Sequence, residues 1–399
     1  MIESTVRAQD EAEALLQAAL SSGHVGHAYL FHGPSGVGKT KAALHFARTL
    51  LCERPLPGPK ACGTCGSCRA VAAFRHPDLE VMVPLPTFRT EGRTERQADE
   101  ARSEARAQVL SRMASEPFFV PVFSRPPVHP IEDLARAKQF LSLTPQREDG
   151  WKILIVKGAE AITGPGAHAF LKILEEPQPR RVLILGTRQV RALLPTIASR
   201  CLHVRFRPLG SEMIAEALRA RGVSKAVSTL LAATSQGSLG RALSLLEAPL
   251  DATTREIPGE SEFTKVRASA LELFVNPRTH SVLGPLRRAR IERDRGRFLT
   301  AVALAVHYYR DVLRRKVLGE RTPLAHSDLE REIAAHAREL SLSALALRVR
   351  VLEEIAAAVR SNVTAAYAVA SAQLRMGLWP GAAASSGVGA WPRAEGARR

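Results

Sequence analysis

The sequence contains no apolar run of the roughly 18 or more residues that a membrane-crossing helix needs, so a transmembrane segment is not expected. Its first twenty residues include Glu3, Asp10, Glu11 and Glu13 and lack the apolar centre of a secretory signal, which argues against export. A cytoplasmic location follows as the expectation. Cysteine is scarce, with five in 399 residues, and thiols in a reducing compartment are poor disulfide candidates. No internal repeat of fixed period is present. Acidic residues are also in short supply, 39 against 56 Lys and Arg, leaving a formal charge of +17. That excess admits nucleic acid or another polyanion as a partner, and equally a solvated basic surface; charge alone does not decide between them.

A chain of this length suggests two or three domains. Up to about residue 207, short apolar runs alternate with helical patterns, as in an open parallel sheet covered by helices. Ala28 to His32, Leu79 to Val83, Lys152 to Val156, Arg181 to Gly186 and Leu202 to Phe206 read as the strands. The stretch Pro86 to Ser115, rich in Arg, Glu and Ala, reads as a solvated insertion or a frayed helix. After Pro208, three short helices are predicted at Ser211 to Arg221, Val227 to Ser235 and Gly240 to Glu247. A linker with Pro249, Pro258 and Gly259 follows, and then a helical pattern from Glu262 to Met376. The tail Pro380 to Arg399 has little to bury and is expected to be disordered.

Gly33-Pro34-Ser35-Gly36-Val37-Gly38-Lys39-Thr40 matches the Walker A pattern in full, between the apolar strand at Ala28 and a helix from Lys41 to Leu51. Glycines let backbone N–H groups converge on phosphate oxygens and the helix N-terminus adds a positive dipole. Lys39 reaches the outer phosphates, and Thr40 can ligate Mg2+. A glycine turn that merely starts a helix would need neither of these two side chains. ATP or ADP is therefore the expected ligand.

A hydrolytic site of this type also needs acids at the end of a neighbouring core strand, one to hold Mg2+ and one to polarise water. Here the buried strand Lys152-Ile153-Leu154-Ile155-Val156 ends in Lys157-Gly158. A cation opposes Mg2+ at that point and glycine offers no base. Glu160 lies past the strand end and reads as structural rather than catalytic. The expectation is nucleotide binding with little hydrolysis.

Cys52, Cys62, Cys65 and Cys68 form C-x9-C-x2-C-x2-C. Four thiolates suit tetrahedral Zn2+, and a closed shell leaves no open position for catalysis, so the metal's role would be structural. An iron–sulfur cluster and incidental free thiols are the competing readings. Arg200, in Leu194-Pro195-Thr196-Ile197-Ala198-Ser199-Arg200-Cys201, reads locally as a surface ion-pair residue in a helix-to-strand connection.

Taken together, the chain resembles the clamp-loader branch of the AAA+ family. The residues that carry the resemblance are His27-Ala28-Tyr29-Leu30-Phe31 before the phosphate loop, the four-cysteine insertion, Leu171-Lys172-Ile173-Leu174-Glu175-Glu176-Pro177 and Ser199-Arg200-Cys201. The fold implied is an α/β AAA+ P-loop domain with a parallel sheet over residues 1–207, zinc-binding at 52–68. A small helical lid over 208–255 and an all-α collar over 260–378 follow, with a tail at 379–399. In this family the arginine of the Ser-Arg-Cys motif reaches the ATP held by an adjacent subunit, which gives Arg200 the role of a finger in trans. The implied partners are tau/gamma subunits, the delta subunit, the sliding clamp and primed DNA.

Two kinds of family member differ at three places. The tau/gamma motor has an acidic strand end where this chain has Lys157-Gly158, and a lid arginine where Gly237-Ser238-Leu239-Gly240-Arg241 places Gly240. Thr187-Arg188 ahead of Leu193-Leu194-Pro195-Thr196 also departs from the motor pattern. All three favour a stationary, largely non-hydrolysing subunit over a tau/gamma-type ATPase. The intact Walker A leaves room for bound nucleotide. Asn362 to Met376 resembles the last collar helix, although an ordinary core helix of a monomer fits the pattern as well. A self-sufficient AAA+ ATPase and a zinc-dependent nucleic-acid reader are the rival functions. The second is opposed by the few basic or aromatic residues near the cysteines beyond Lys60 and Arg69.

Overall fold

The structure is a computed structural model that describes residues 9–86, 95–121, 123, 127–162, 165–246, 260–277, 283–292, 294–320, 322–361 and 363–378. The expected linker residues Pro249, Pro258 and Gly259 and the tail from Pro380 lie outside the described residues. Two compact units are present, one comprising Met1–Gly222 with Ser235–Glu256 and the other Val223–Thr234 with Ile257–Arg399.

In the first unit the chain runs α1 (Asp10–Ser22), β1 (Ala28–His32), α2 (Lys39–Leu50), α3 (Gly66–Ala72), β2 (Leu79–Met82), β3 (Leu85–Pro86), α4 (Glu95–Ser115), β4 (Pro127–Val128) and α5 (Ile131–Ser142). It continues through β5 (Lys152–Lys157), α6 (Pro165–Glu175), β6 (Arg181–Thr187), α7 (Pro195–Ala198), β7 (Leu202–Arg205) and α8 (Ser211–Arg219). α9 (Lys225–Thr234) falls in the second unit, and α10 (Leu239–Ser244) in the first.

The main sheet has the order β2-β5-β6-β1-β7, with every neighbouring pair parallel. Successive strand side chains point to opposite faces, and the buried residues divide accordingly. Tyr29, Phe31, Ile153, Ile155, Val182 and Ile184 pack with Ala43, Phe46 and Ala47 of α2. Leu30, Leu154, Val156, Leu183 and Leu185 pack with Leu134 and Leu141 of α5 and Phe170 and Leu174 of α6. A sheet buried on both faces needs near-continuous apolar strands, which is what β5 and β6 supply. Together with the Walker A loop, this is the AAA+ P-loop architecture expected from sequence.

The insertion differs from the sequence reading. α4 is a 21-residue helix, and it is not wholly solvated. Val109 and Met113, one turn apart, are 1% and 3% exposed and join the core on the α2 face. Arg106 pairs with Glu80 of β2. Two apolar residues spaced i, i+4 are enough to dock one end of a charged helix, a signal diluted by the Arg and Glu around it.

The second unit is entirely helical among its described residues. It contains α9, α11 (Glu260–Phe274), α12 (Leu283–Arg288), α13 (Arg295–Leu318), α14 (Glu330–Glu339), α15 (Leu342–Arg360) and α16 (Ala365–Arg375). Phe298, Leu304, Tyr309 and Val312 of α13 are buried, as are Leu345, Leu352 and Ile355 of α15. Asp311 is a buried polar anchor, accepting from the backbone N–H groups of Ala325 (3.1 Å) and His326 (2.9 Å). No described helix is long and apolar enough to cross a membrane.

One buried ion pair holds the far edge of the sheet. Lys152 at the start of β5 lies 3.2 Å from Asp78, which precedes β2, with both side chains 4% exposed. Asp78 also accepts from the backbone N–H of Gln146 at 3.1 Å, and the Lys152 ammonium sits 4.2 Å from the Phe140 ring centroid. Removing one partner strands a buried charge, at a cost of about 3–5 kcal/mol. Asp78→Ala is therefore expected to lower the urea midpoint strongly, and the double change Asp78→Ala with Lys152→Met to recover much of that loss. Near-wild-type stability of Asp78→Ala would show that the pair is not holding this edge.

Candidate nucleotide and metal sites

Parallel strands bring the carboxyl ends of β1, β6 and β5 to one edge of the sheet. Within the register, His32 is paired with Thr187 and Lys157 with Gly186. β6 therefore lies between the strand that leads into the Walker A loop and the strand that ends at Lys157. A cavity of about 400 Å³ opens at this edge, within the range of small-ligand sites. Ser35, Gly36, Gly38, Lys39 and Thr40 line it from the loop, Lys157, Gly158 and Glu160 from the end of β5, and Thr187 and Arg188 from the end of β6.

The loop turns on its glycines into an uncapped helix start. Gly33, Gly36 and Gly38 all have positive φ. α2 begins without a side-chain cap, so its first N–H groups remain available to a ligand. Lys39 Nζ donates to the carbonyl oxygens of Gly33 (2.5 Å) and Pro34 (2.6 Å). Burial pushes the Lys39 ammonium down to about 8; Glu160 opposes this shift and Arg188 adds to it. Pro34 and Val37 complete the sequence-predicted loop, Val37 fully buried beneath it.

Lys157 stands at the strand end where a hydrolytic P-loop site has a carboxylate. Its Nζ donates to the Phe119 carbonyl at 3.0 Å and approaches Met113 Sδ at 3.9 Å. Burial, and then the charge of Lys39, push it down to about 8. Glu160, read from sequence as lying past the strand end, does line the cavity, where Arg188 Nε donates to its Oε1 at 3.0 Å. Its Oε2 is buried without a hydrogen-bond partner.

Two other segments close over the loop. Ser238 Oγ donates to the Ser35 carbonyl at 2.5 Å, and the Gly240 N–H donates to the Gly36 carbonyl at 3.0 Å. A Cβ on Gly240 would meet the Phe118 carbonyl oxygen at 2.2 Å and Gly36 Cα at 2.7 Å, so only glycine fits. The residue after it, Arg241, is exposed and donates to Gln236 Oε1 at 2.9 Å. The strap Pro117–Pro121 forms the other wall, with Lys41 Nζ 5.4 Å from the Phe118 ring centroid. Sequence reading missed the strap because the contacts that bring it to the loop, Phe118 with Lys41 and Phe119 with Lys157, are distant along the chain.

The four clustered cysteines converge at the far end of α2. Cys52 follows that helix, Cys65 caps α3 and Cys68 lies within α3. Cys52 Sγ is 3.6 Å from Cys62 Sγ and 3.9 Å from Cys65 Sγ, Cys62 Sγ is 3.9 Å from Cys68 Sγ, and all four sulfurs lie within 4.8 Å of one another. Zn–S bonds of about 2.3 Å give a tetrahedron with edges of about 3.8 Å, so the sulfurs are spaced for a single ion. They are too far apart for disulfides and too close together to enclose a multi-iron cluster. The N–H groups of Cys62, Cys65 and Cys68 donate to cysteine sulfurs at 3.3–3.4 Å, as thiolate ligands require. N–H donors from Thr64 and Cys65 hold the Cys62 thiol down at about 6, whereas burial pushes Cys68 up to about 12. Metal coordination would draw both into the thiolate form. The fifth cysteine, Cys201, lies outside the cluster, with its thiol pushed up to about 11 by burial.

Arg200 follows α7 and precedes β7. Its Nη2 lies 2.8 Å from Glu175 Oε1 at the end of α6, and its Nη1 donates to the Thr196 carbonyl at 3.0 Å. The side chain remains 37% exposed, and Arg200 is not among the described residues lining the loop cavity.

The chain is similar to known proteins over the same residues. A family model described as DNA polymerase III, delta subunit, matches residues 8–210. The chain belongs to that family. It is 24% identical to the DNA polymerase III subunit delta' of Bacillus subtilis over 364 residues, 89% of this chain and 92% of that protein. It is 36% identical to the delta' subunit of Pseudomonas aeruginosa over 177 residues, 44% of this chain and 42% of that protein. A gamma/tau subunit from Mycobacterium tuberculosis is 32% identical over 203 residues, 50% of this chain and 28% of that protein. The Pseudomonas and mycobacterial matches thus span less than half of those relatives. A solved gamma subunit-related protein from Thermotoga maritima aligns over 86% of this chain and 99% of its own, with TM-score 0.41 and 16% identity. The family match takes in the loop, the four cysteines and Arg200 together.

The sulfur geometry predicts metal content directly. Protein purified without chelator is expected to carry one zinc per chain by elemental analysis, and Cys65→Ala much less than one. In that variant, hydrogen exchange should quicken around Cys52 while nucleotide affinity changes little. Iron in the protein, or no metal at all, would overturn the zinc reading.

Proposed function

We propose that this chain is the delta-prime type of clamp-loader subunit, a largely non-hydrolysing AAA+ protein that supplies Arg200 in trans to the ATP of an adjacent tau/gamma subunit. The observation that carries the reading is Lys157, an ammonium on the strand end where a hydrolytic site needs a carboxylate to hold Mg2+. The separation of Arg200 from the chain's own loop cavity supports it further, since an arginine that acts on a neighbour's phosphate has no place in its own site. In this reading the first unit binds ATP or ADP through Gly33–Thr40, and Cys52, Cys62, Cys65 and Cys68 hold a structural Zn2+. The helices within 260–378 serve as a collar in a ring with tau/gamma and delta. The assembled ring loads the sliding clamp on primed DNA in the cytoplasm.

A tau/gamma-type ATPase remains the second reading, favoured by one observation: the free Oε2 of Glu160 inside the loop cavity. The two readings differ in where the chemistry happens. Arg200→Ala is expected to leave folding, zinc content and this chain's own nucleotide affinity unchanged. Clamp- and DNA-stimulated ATPase of a loader reconstituted with wild-type tau/gamma should fall by about 10³-fold at the affected site, the scale of such arginines in other phosphoryl-transfer systems. Arg200→Lys should recover little, because an ammonium lacks the planar fork that grips two oxygens. A mutant loader that works at the wild-type rate would return Arg200 to the role of a surface ion pair with Glu175. Robust turnover by the isolated wild-type chain, abolished by Lys39→Ala, would favour the second reading.

A further inference from the structure

The loop cavity has a cation at the strand end where a P-loop site would hold magnesium. Among the described lining residues, Lys39, Lys157 and Arg188 are cationic and Glu160 is the single carboxylate. Glu160 accepts from Arg188 at 3.0 Å, and its charge offsets only part of the burial that pushes Lys39 down. Both lysine ammoniums are satisfied only by neutral groups: Lys39 by the carbonyls of Gly33 and Pro34, and Lys157 by the Phe119 carbonyl and the Met113 sulfur. Partly buried cations without carboxylate partners are costly unless an anion completes them.

The location of Lys157 identifies what it replaces. It ends β5, one strand removed from β1, with Gly186 of β6 beside it in register. That is the strand end from which a P-loop site would present its Mg2+-holding carboxylate. Here the side chain brings an ammonium instead.

We propose that this cavity binds a nucleoside di- or triphosphate without magnesium, the Lys157 ammonium taking the place of the metal beside the outer phosphates. The proposal rests on the nucleotide-binding reading of Gly33–Thr40 and goes beyond it by naming the metal-free form of the ligand. On binding, Lys39 and Lys157 exchange their carbonyl acceptors for phosphate oxygens. Two lysines, the uncapped start of α2 and the loop N–H groups then balance the polyanion. The depressed ammonium of each lysine, about 8, adds a pH signature with a definite sign. Both are charged below that value and lose charge above it, so affinity for phosphate should fall as pH rises through 8 and binding near pH 8 should take up protons.

The test is titration of the full-length zinc-loaded protein with ADP and ATP carrying a fluorescent ribose label, in chelator-free buffer without magnesium and again in millimolar Mg2+. The expected result is the same Kd in both conditions within about threefold. Lys157→Met should weaken binding by tenfold or more without magnesium. Lys157→Asp should bind poorly without magnesium and regain affinity when Mg2+ is added, and the intact zinc content of each variant checks its fold. A wild-type Kd that tightens tenfold or more with Mg2+ would overturn the proposal while leaving nucleotide binding in place. If that gain disappeared in Glu160→Gln, Glu160 would be the metal-holding residue. Unaltered affinity in Lys157→Met would also overturn it. Absence of binding in every condition would overturn the nucleotide-binding reading itself, and this proposal with it.

Discussion

The parallel pairing of β1, β6 and β5 is the constraint from which the rest of the first unit follows. Because these strands run the same way, their carboxyl ends must share one edge, and the loops that leave them must face one another. The Walker A loop leaves β1, Lys157 ends β5, and Thr187 with Arg188 leaves β6. Residues 39, 157 and 188 thus meet in one cavity although more than a hundred positions separate the first from the others. Burial on both faces fixes this register, since a one-residue slip in β5 would turn Ile153 and Ile155 into the opposite layer.

α2 connects the phosphate loop to the cysteine cluster. Lys39 begins the helix, Ala43, Phe46 and Ala47 pack it onto the sheet, and Cys52 follows its end. A metal held by Cys52, Cys62, Cys65 and Cys68 would therefore brace the far end of the helix whose near end faces the cavity. Nothing in that arrangement requires the metal to touch ligand. Its closed thiolate shell suits a brace and leaves no position open for chemistry.

Features that depend on neighbours in sequence were legible from sequence. The loop Gly33–Thr40, the spacing of the cysteines and the apolar runs of β1, β5 and β6 are local patterns, and each is found where it was expected. The long-range contacts were not legible. Gly240 reads as a missing lid arginine, but its contact with Gly36 and the Phe118 carbonyl shows a positive reason for glycine, since any side chain there would push the Ser238–Gly240 segment off the loop. Glu160 looked displaced past its strand because offset alone cannot reveal that the chain turns back after Gly158, at φ 65°, and brings the carboxylate into the cavity. The docking of α4 through Val109 and Met113 was hidden among charged neighbours for the same reason.

The ion pair of Arg200 with Glu175 bears on the proposed role in trans more than its modest strength suggests. Partly exposed pairs of this kind contribute about 0–1 kcal/mol, because solvent screens the attraction and ordering two long side chains costs entropy. A buried guanidinium with a full set of partners, such as Arg181 with the carbonyls of Leu141 and Leu143, could not be withdrawn without leaving several groups unsatisfied. Arg200 gives up one screened carboxylate and one carbonyl. A phosphate presented by another subunit carries more charge than Glu175 and accepts both arms of the fork at once. The guanidinium is thereby held near a fixed position in the free chain at little cost, and a stronger anion can take it over.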